Sequence, residues 1–367
     1  MHQEPSGVRI MAYTTIDDPS AHFHTQLYTG NGSSGLAITN DANAGDIKPD
    51  WLWIMPRSNG DNSVVWDSSR TINKRLKTNS TAAEDSDTTA LVTFETDGFD
   101  LDTTDANFNG SSRTYVAWQW LANGGTRTTN TESGNNPAGG YQANTTAGFS
   151  IVDYTGTGAA GTMAHGLGVA PGFIVIKNRE AVVDWAVYHK GPGVDETDAL
   201  HINNTDGLTD AATFWNDTAP TSSVFTINTN NNCNTDGETY IAYCWAPIQG
   251  YSKFGGYTGN GNADGPFIYT GFRPAWIMVK RSGSTGSWRI IDSKRNSYNG
   301  QFATLQADDN ATEYTADDDF GNTDILSNGF KLRQNYSQVN ATGGTYIYMA
   351  FAENPFVTSG GTPCTAR

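Results

Sequence analysis

Two residue pairs repeat one spacing at the end of a tryptophan-bearing segment: Asp67 with Arg70, and Asp292 with Arg295. A guanidinium three residues beyond a carboxylate can hold it in two hydrogen bonds and so fix a turn. Acid catalysis would need a second carboxylate, which the spacing does not supply. Both pairs are therefore expected as structural ion pairs. His22 and His24 stand two apart, on one face of a strand, and in a threefold assembly six such imidazoles could surround a metal ion. They are the metal candidates. Acidic stretches at Asp97 to Asp105 and Asp317 to Asp319 could ligate calcium through oxygen, although neither has the alternating spacing of a calcium loop. Trp215 and Tyr298 are the aromatic residues placed to stack on a sugar. The hydrolase, zincin and P-loop signatures are missing, and the Gly-rich run Gly259 to Gly265 lacks a following helix. No catalytic residue is expected, and no cofactor beyond a divalent cation.

The elements that must carry these residues come from one strand written three times. TYVAWQW at Thr114 to Trp120 returns as TYIAYCW at Thr239 to Trp245 and as TYIYMAF at Thr345 to Phe351. Large apolar side chains occupy alternate positions in each copy, Val116, Trp118 and Trp120 in the first, which is the period of a strand. The face with Tyr115, Ala117 and Gln119 is smaller and more polar, and is expected to be less deeply buried. Upstream, each copy has a YTGxG turn (Tyr28, Tyr154, Tyr257), then a proline-led apolar run such as Trp51 to Met55, then a tryptophan strand. Seven or eight strands per copy at this spacing predict an all-β fold of three tandem β-sandwiches of about 100 residues each. The predicted order is a polar arm (1–25), repeat 1 (26–125), a Gly/Thr/Asn-rich flexible linker (126–147), repeat 2 (148–250), repeat 3 (251–356) and a polar tail (357–367).

The net charge of -16 argues against a nucleic-acid partner, which needs basic stripes. No run approaches the length of a membrane span, and the first ten residues lack a secretory layout. Cys233, Cys244 and Cys364 are odd in number and form no disulfide framework.

The succession YTGNG, Pro-x-Trp-x-x-Ile/Val, Asp-Ser-x-Arg, Asp/Asn-Gly-Phe and Thr-Tyr-Val/Ile-Ala-Trp resembles a repeat domain of unknown function. That domain occurs in virion structural and tail-fibre-like proteins of marine tailed phages, of cyanophage and pelagiphage type. The opening from Met11 and the ending from Pro355 also resemble that group, so the likeness runs to Arg367. It implies jelly-roll or lectin-like sandwiches and a non-enzymatic virion protein, a tail fibre or exposed appendage that attaches to the host surface. It further implies virion partners, a homo-oligomer with a trimer favoured, and a host glycan or protein as receptor. Capsid decoration (a head fibre), or a carbohydrate-binding or depolymerase protein, are the alternatives. Repeat 2 departs from the pattern, with His189 where Asp67 and Asp292 stand.

Overall fold

The computed structural model describes residues 12–41, 46–86, 91–296, 298–300, 303–315 and 322–366. Asp317 to Asp319 and the Met11 start lie outside them. The fold is almost wholly antiparallel β-structure, as the alternating apolar pattern requires. Among the described residues, no helix is long and apolar enough to cross a membrane.

Each repeat builds the same inner sheet. In repeat 1 the opening strand Phe23–Thr29 pairs with the central strand Thr114–Trp120, which pairs with the apolar strand Trp51–Pro56, which pairs with the hairpin strand Val64–Asp67. Repeat 2 has the same order in Phe149–Thr155, Thr239–Trp245, Phe173–Asn178 and Ala186–His189, and repeat 3 in Ser252–Thr258, Thr345–Pro355, Phe272–Arg281 and Arg289–Asp292. The registers agree: Trp120 stands opposite Trp51, Trp245 opposite Phe173, and Phe351 opposite Trp276. A smaller outer sheet covers one face of each inner sheet, for example Leu36–Ile38, Gly98–Asp102 and Leu91–Glu95 in repeat 1.

The opposite faces of the three inner sheets do not meet solvent. Trp51, Trp118 and Trp120 of repeat 1, Tyr243 and Trp245 of repeat 2, and Trp276 and Phe351 of repeat 3 form one continuous buried cluster. Within it the rings of Trp120 and Trp245 lie 6.1 Å apart, those of Trp120 and Trp276 5.8 Å, and those of Trp51 and Tyr243 5.2 Å. The repeats are thus three sandwiches around a common core and not beads along a chain. The polar face of the central strand is correspondingly buried as well, with Tyr115, Ala117 and Gln119 at 0% exposure. This differs from the expectation of a less deeply buried face. Gln119 tolerates burial because it exchanges amide hydrogen bonds with Asn40, donating at 2.6 Å and accepting at 3.2 Å.

Two boundaries also differ from expectation. The segment read as a flexible linker, 126–147, contains strands Thr128–Asn130 and Gly139–Asn144, which extend the inner sheet of repeat 2. Its glycine at 139 serves close approach: a Cβ there would lie 2.1 Å from the Asp153 carbonyl oxygen. Gln142 on this strand, almost fully buried, donates to the hydroxyls of Ser68 and Ser69 at 2.8 and 2.7 Å, tying the segment to repeat 1. The polar arm, for its part, ends inside the opening strand, where Phe23 stacks on Phe351 of repeat 3.

A shared core makes the repeats unfold together. Calorimetry is expected to give one cooperative transition, and Trp118→Ala to destabilise the whole chain by about 3 to 5 kcal/mol. Separate transitions for the repeats, only one of them shifted, would contradict the shared core.

Candidate functional site

The repeated YTGxG and TY motifs serve one structural device, made three times. Tyr28 stacks on Tyr115, Tyr154 on Tyr240, and Tyr257 on Tyr346, with ring centroids 5.0, 5.1 and 5.0 Å apart. The first hydroxyl of each pair donates to a loop carbonyl: Tyr28 to Phe108 at 2.7 Å, Tyr154 to Cys233 at 2.6 Å, Tyr257 to Val339 at 2.8 Å. A buried asparagine in that loop, Asn109, Asn234 or Asn340, accepts the backbone N–H just after the motif's first glycine. That glycine is obligatory, since a Cβ on Gly30, Gly156 or Gly259 would lie 2.4, 2.2 or 2.3 Å from a backbone oxygen of the loop.

Two sets of buried charged residues lie where one repeat meets the next. At the seam between repeats 1 and 2, Arg70 Nε lies 2.6 Å from Asp67 Oδ2, and the guanidinium reaches Glu84 at 3.0 Å. Repeat 2 completes the cluster: the Tyr243 hydroxyl donates to Asp67 at 2.6 Å, and Arg179 takes Glu84 in a bidentate pair at 2.9 Å. The seam between repeats 3 and 1 has the same parts. Arg295 lies 2.5 Å from Asp292 and 3.1 Å from Glu313; Trp118 of repeat 1 donates to Asp292 at 3.2 Å, and Arg57 grips Glu313 at 2.9 and 2.8 Å. Burial opposes the charge on Arg70, but Asp67, Tyr243 and Glu84 outweigh it and hold the guanidinium protonated more firmly than usual. Burial likewise pushes Glu84 up, yet Arg179 and Arg70 carry it below the usual carboxylate range.

The seam between repeats 2 and 3 replaces the whole set with neutral groups. His189 stands for the aspartate, Pro192 for the arginine three residues on, Leu208 for the glutamate and Ser282 for the facing arginine. The backbone fixes this correspondence, because the amides of Glu84, Glu313 and Leu208 donate to the carbonyls of Arg179, Arg57 and Ser282 at 2.8, 2.9 and 2.9 Å. His189 Nδ1 accepts from the Gly191 N–H at 2.7 Å, and Nε2 lies 3.0 Å from the Tyr348 carbonyl of repeat 3. The three seams close a ring, repeat 1 to 2 to 3 to 1.

The remaining sequence candidates are placed elsewhere. His24 is 4% exposed; its Nε2 lies 3.5 Å from Asp41, while the His22 ring packs edge-on against Tyr251. Among the described residues no three His, Cys, Asp or Glu side chains converge as a metal site. Within one chain, then, neither the paired histidines nor the described acidic loop forms such a site: Asp105 caps a short helix at Asn107 N, 2.8 Å, and pairs with Arg75 at 2.7 Å. Trp215 is buried in the repeat 2 core, its indole donating to the Asp198 carbonyl at 3.0 Å, and so offers no face to a sugar. Tyr298 is 82% exposed.

Glu84, Glu313, Arg57 and Arg179 were missed in the sequence. Glu84 lies 14 residues from Arg70, but Glu313 lies 18 from Arg295, so unequal loops hide the repetition. Aligning the repeats on Trp51 and Phe173 would have found the two arginines. Buried Lys177 and Lys280, both pulled down to about 8 by burial, were also missed; their ammonium groups donate to carbonyls, Lys177 to Val183 at 2.7 Å and Lys280 to Gly286. Burial raises the Cys233 thiol to about 12, which leaves it inert as a nucleophile.

A family profile described as "Domain of unknown function (DUF7483)" matches residues 18–355. The chain belongs to this DUF7483 family. The match runs through all three repeats without a break, as a unit with one shared core would. Among curated proteins none matches the sequence.

The neutral seam separates a DUF7483 seam's charges from its shape. His189→Asp restores the residue of the other repeats, yet it buries a carboxylate with no facing arginine, and is expected to destabilise the chain by about 3 to 5 kcal/mol in denaturant titration. A neutral or stabilising result would contradict the pairing scheme. Burial also lowers His189 from its ordinary 6.5 to about 4. Between these values the unfolded chain takes up a proton that the folded chain refuses. The stability contribution is full above pH 6.5 and is lost as pH falls towards 4, by about 3 kcal/mol. Comparing His189→Gln with the parent across that window isolates this share from the other histidines, and parallel curves would refute it.

Proposed function

We propose that the chain is a non-enzymatic structural protein of a virus particle, an exposed appendage such as a tail fibre that contributes to host-surface attachment. The observation that carries this reading is the use of the repeated motifs: the tyrosine pairs, the central strands and two of the three seams all go into locking a rigid body. The resemblance to phage virion proteins supplies the setting.

The ring of three repeats bears on assembly. One chain already packs three modules into a closed ring, so we expect one chain per attachment point where the sequence alone favoured a trimer of chains. The same geometry favours a second reading, a decoration or fibre on the head, because a threefold body suits a threefold position on a shell. Proteomics and cryo-EM of purified particles, with the mass of the isolated chain in solution, test both. The expected result is a monomer in solution that is present in stoichiometric amounts on the particle exterior. Absence from purified particles would overturn the proposal, and density on tail or head chooses between the readings.

A further inference from the structure

The seam between repeats 3 and 1 opens into a cleft of about 220 Å³, lined from repeat 1 by His24, Thr25 and Asp41 and from repeat 3 by Lys294, Glu353 and Asn354, among others. At about 30 Å³ per water the space equals that of about seven waters, the scale of one sugar ring. The Thr25 hydroxyl is the informative group. Thr25 lines the cleft and is 5% exposed, and its hydroxyl oxygen is buried without a hydrogen-bond partner among the described residues. A buried hydroxyl left unsatisfied is destabilising, and a ligand bond to it would relieve that cost. His24 is similarly under-used, its Nε2 having only long contacts of 3.4 Å to Gln26 and 3.5 Å to Asp41.

From this lining we infer that the cleft is a binding site for a small neutral polyol, a single pyranose ring. Two of the three wall carboxylates are paired with cations, Asp41 with Lys294 at 2.5 Å and Glu353 with the neighbouring Arg273 at 3.3 Å, and the third, Asp18, accepts from the Ser20 amide and hydroxyl at 3.0 and 2.5 Å. A phosphate would meet the carboxylates, and a metal ion would meet the ammonium. A sugar hydroxyl both donates and accepts, so it satisfies carboxylate oxygens, the lysine, the imidazole and the threonine in turn without net charge. The small side chains of Ala275 and Ala352 leave an apolar patch of wall for ring C–H groups.

The inference goes beyond the virion reading and stands apart from it, since it rests on the lining alone and is tested on the free chain. The purified protein is titrated with D-glucose, D-galactose, D-mannose and N-acetyl-D-glucosamine, and with inorganic phosphate and calcium chloride as competing chemistries, by calorimetry and saturation-transfer NMR. At least one pyranose is expected to bind saturably, with Kd on the order of millimolar. Thr25→Val, which keeps the shape and removes the hydroxyl, and Ala275→Leu, which fills the cleft, are each expected to weaken it at least tenfold, with thermal melting checking that both variants fold. No saturable binding of any of the four sugars, unchanged affinity in folded variants, or tighter binding of phosphate or calcium at the cleft would overturn the assignment.

Discussion

Everything in this fold depends on the aromatic core that the three inner sheets share. A sheet with two apolar faces must be covered twice. Here the outer sheets cover one face within each repeat, and the neighbouring repeats cover the other. The indoles of Trp51, Trp118, Trp120, Trp245 and Trp276 fill the space between the sheets, each almost fully buried. Removing one repeat would expose the inner faces of the other two, so the repeat is a structural unit without being an independent domain.

Hydrophobic burial has no direction, and the seams supply one. The buried Asp, Arg and Glu sets fix how each repeat sits against the next through short, geometrically strict contacts, and they do so at two seams of the three. Their replacement at the third as a complete set, including Ser282 on the facing repeat, follows from the cost of an unpaired buried charge. Losing one member alone would strand the others.

Much of this was legible in the residues. Period-two alternation marked the central strands, and the Asp-x-x-Arg spacing marked pairs that meet within hydrogen-bond distance. What failed shares a physical reason. Composition describes a segment's own preferences and not its neighbours. The segment 126–147 has the Gly, Thr and Asn content of a flexible tether, yet Tyr141 pairs with Val152 because an open sheet edge is available beside it. The face with Tyr115, Ala117 and Gln119 looked half-exposed because small and polar residues are also what a tightly covered strand requires, once Gln119 has Asn40 to answer it. Trp215 read as a free aromatic in a polar loop, although the fold turns it inward onto Tyr188, 5.8 Å away. The cleft between repeats 3 and 1 joins residues more than 200 positions apart, which no local pattern records.

Covalent linkage of the three repeats has a consequence for how such a body can change over time. In a ring of identical separate chains every substitution arrives at all the joints at once, so a joint must work in one form or not at all. In a single chain each joint is a different stretch of sequence. The neutral joint at His189 uses that freedom: one joint is uncharged while its siblings are charged. Symmetry here is inherited by the backbone and spent by the side chains, which lets one molecule carry three unlike faces on one frame.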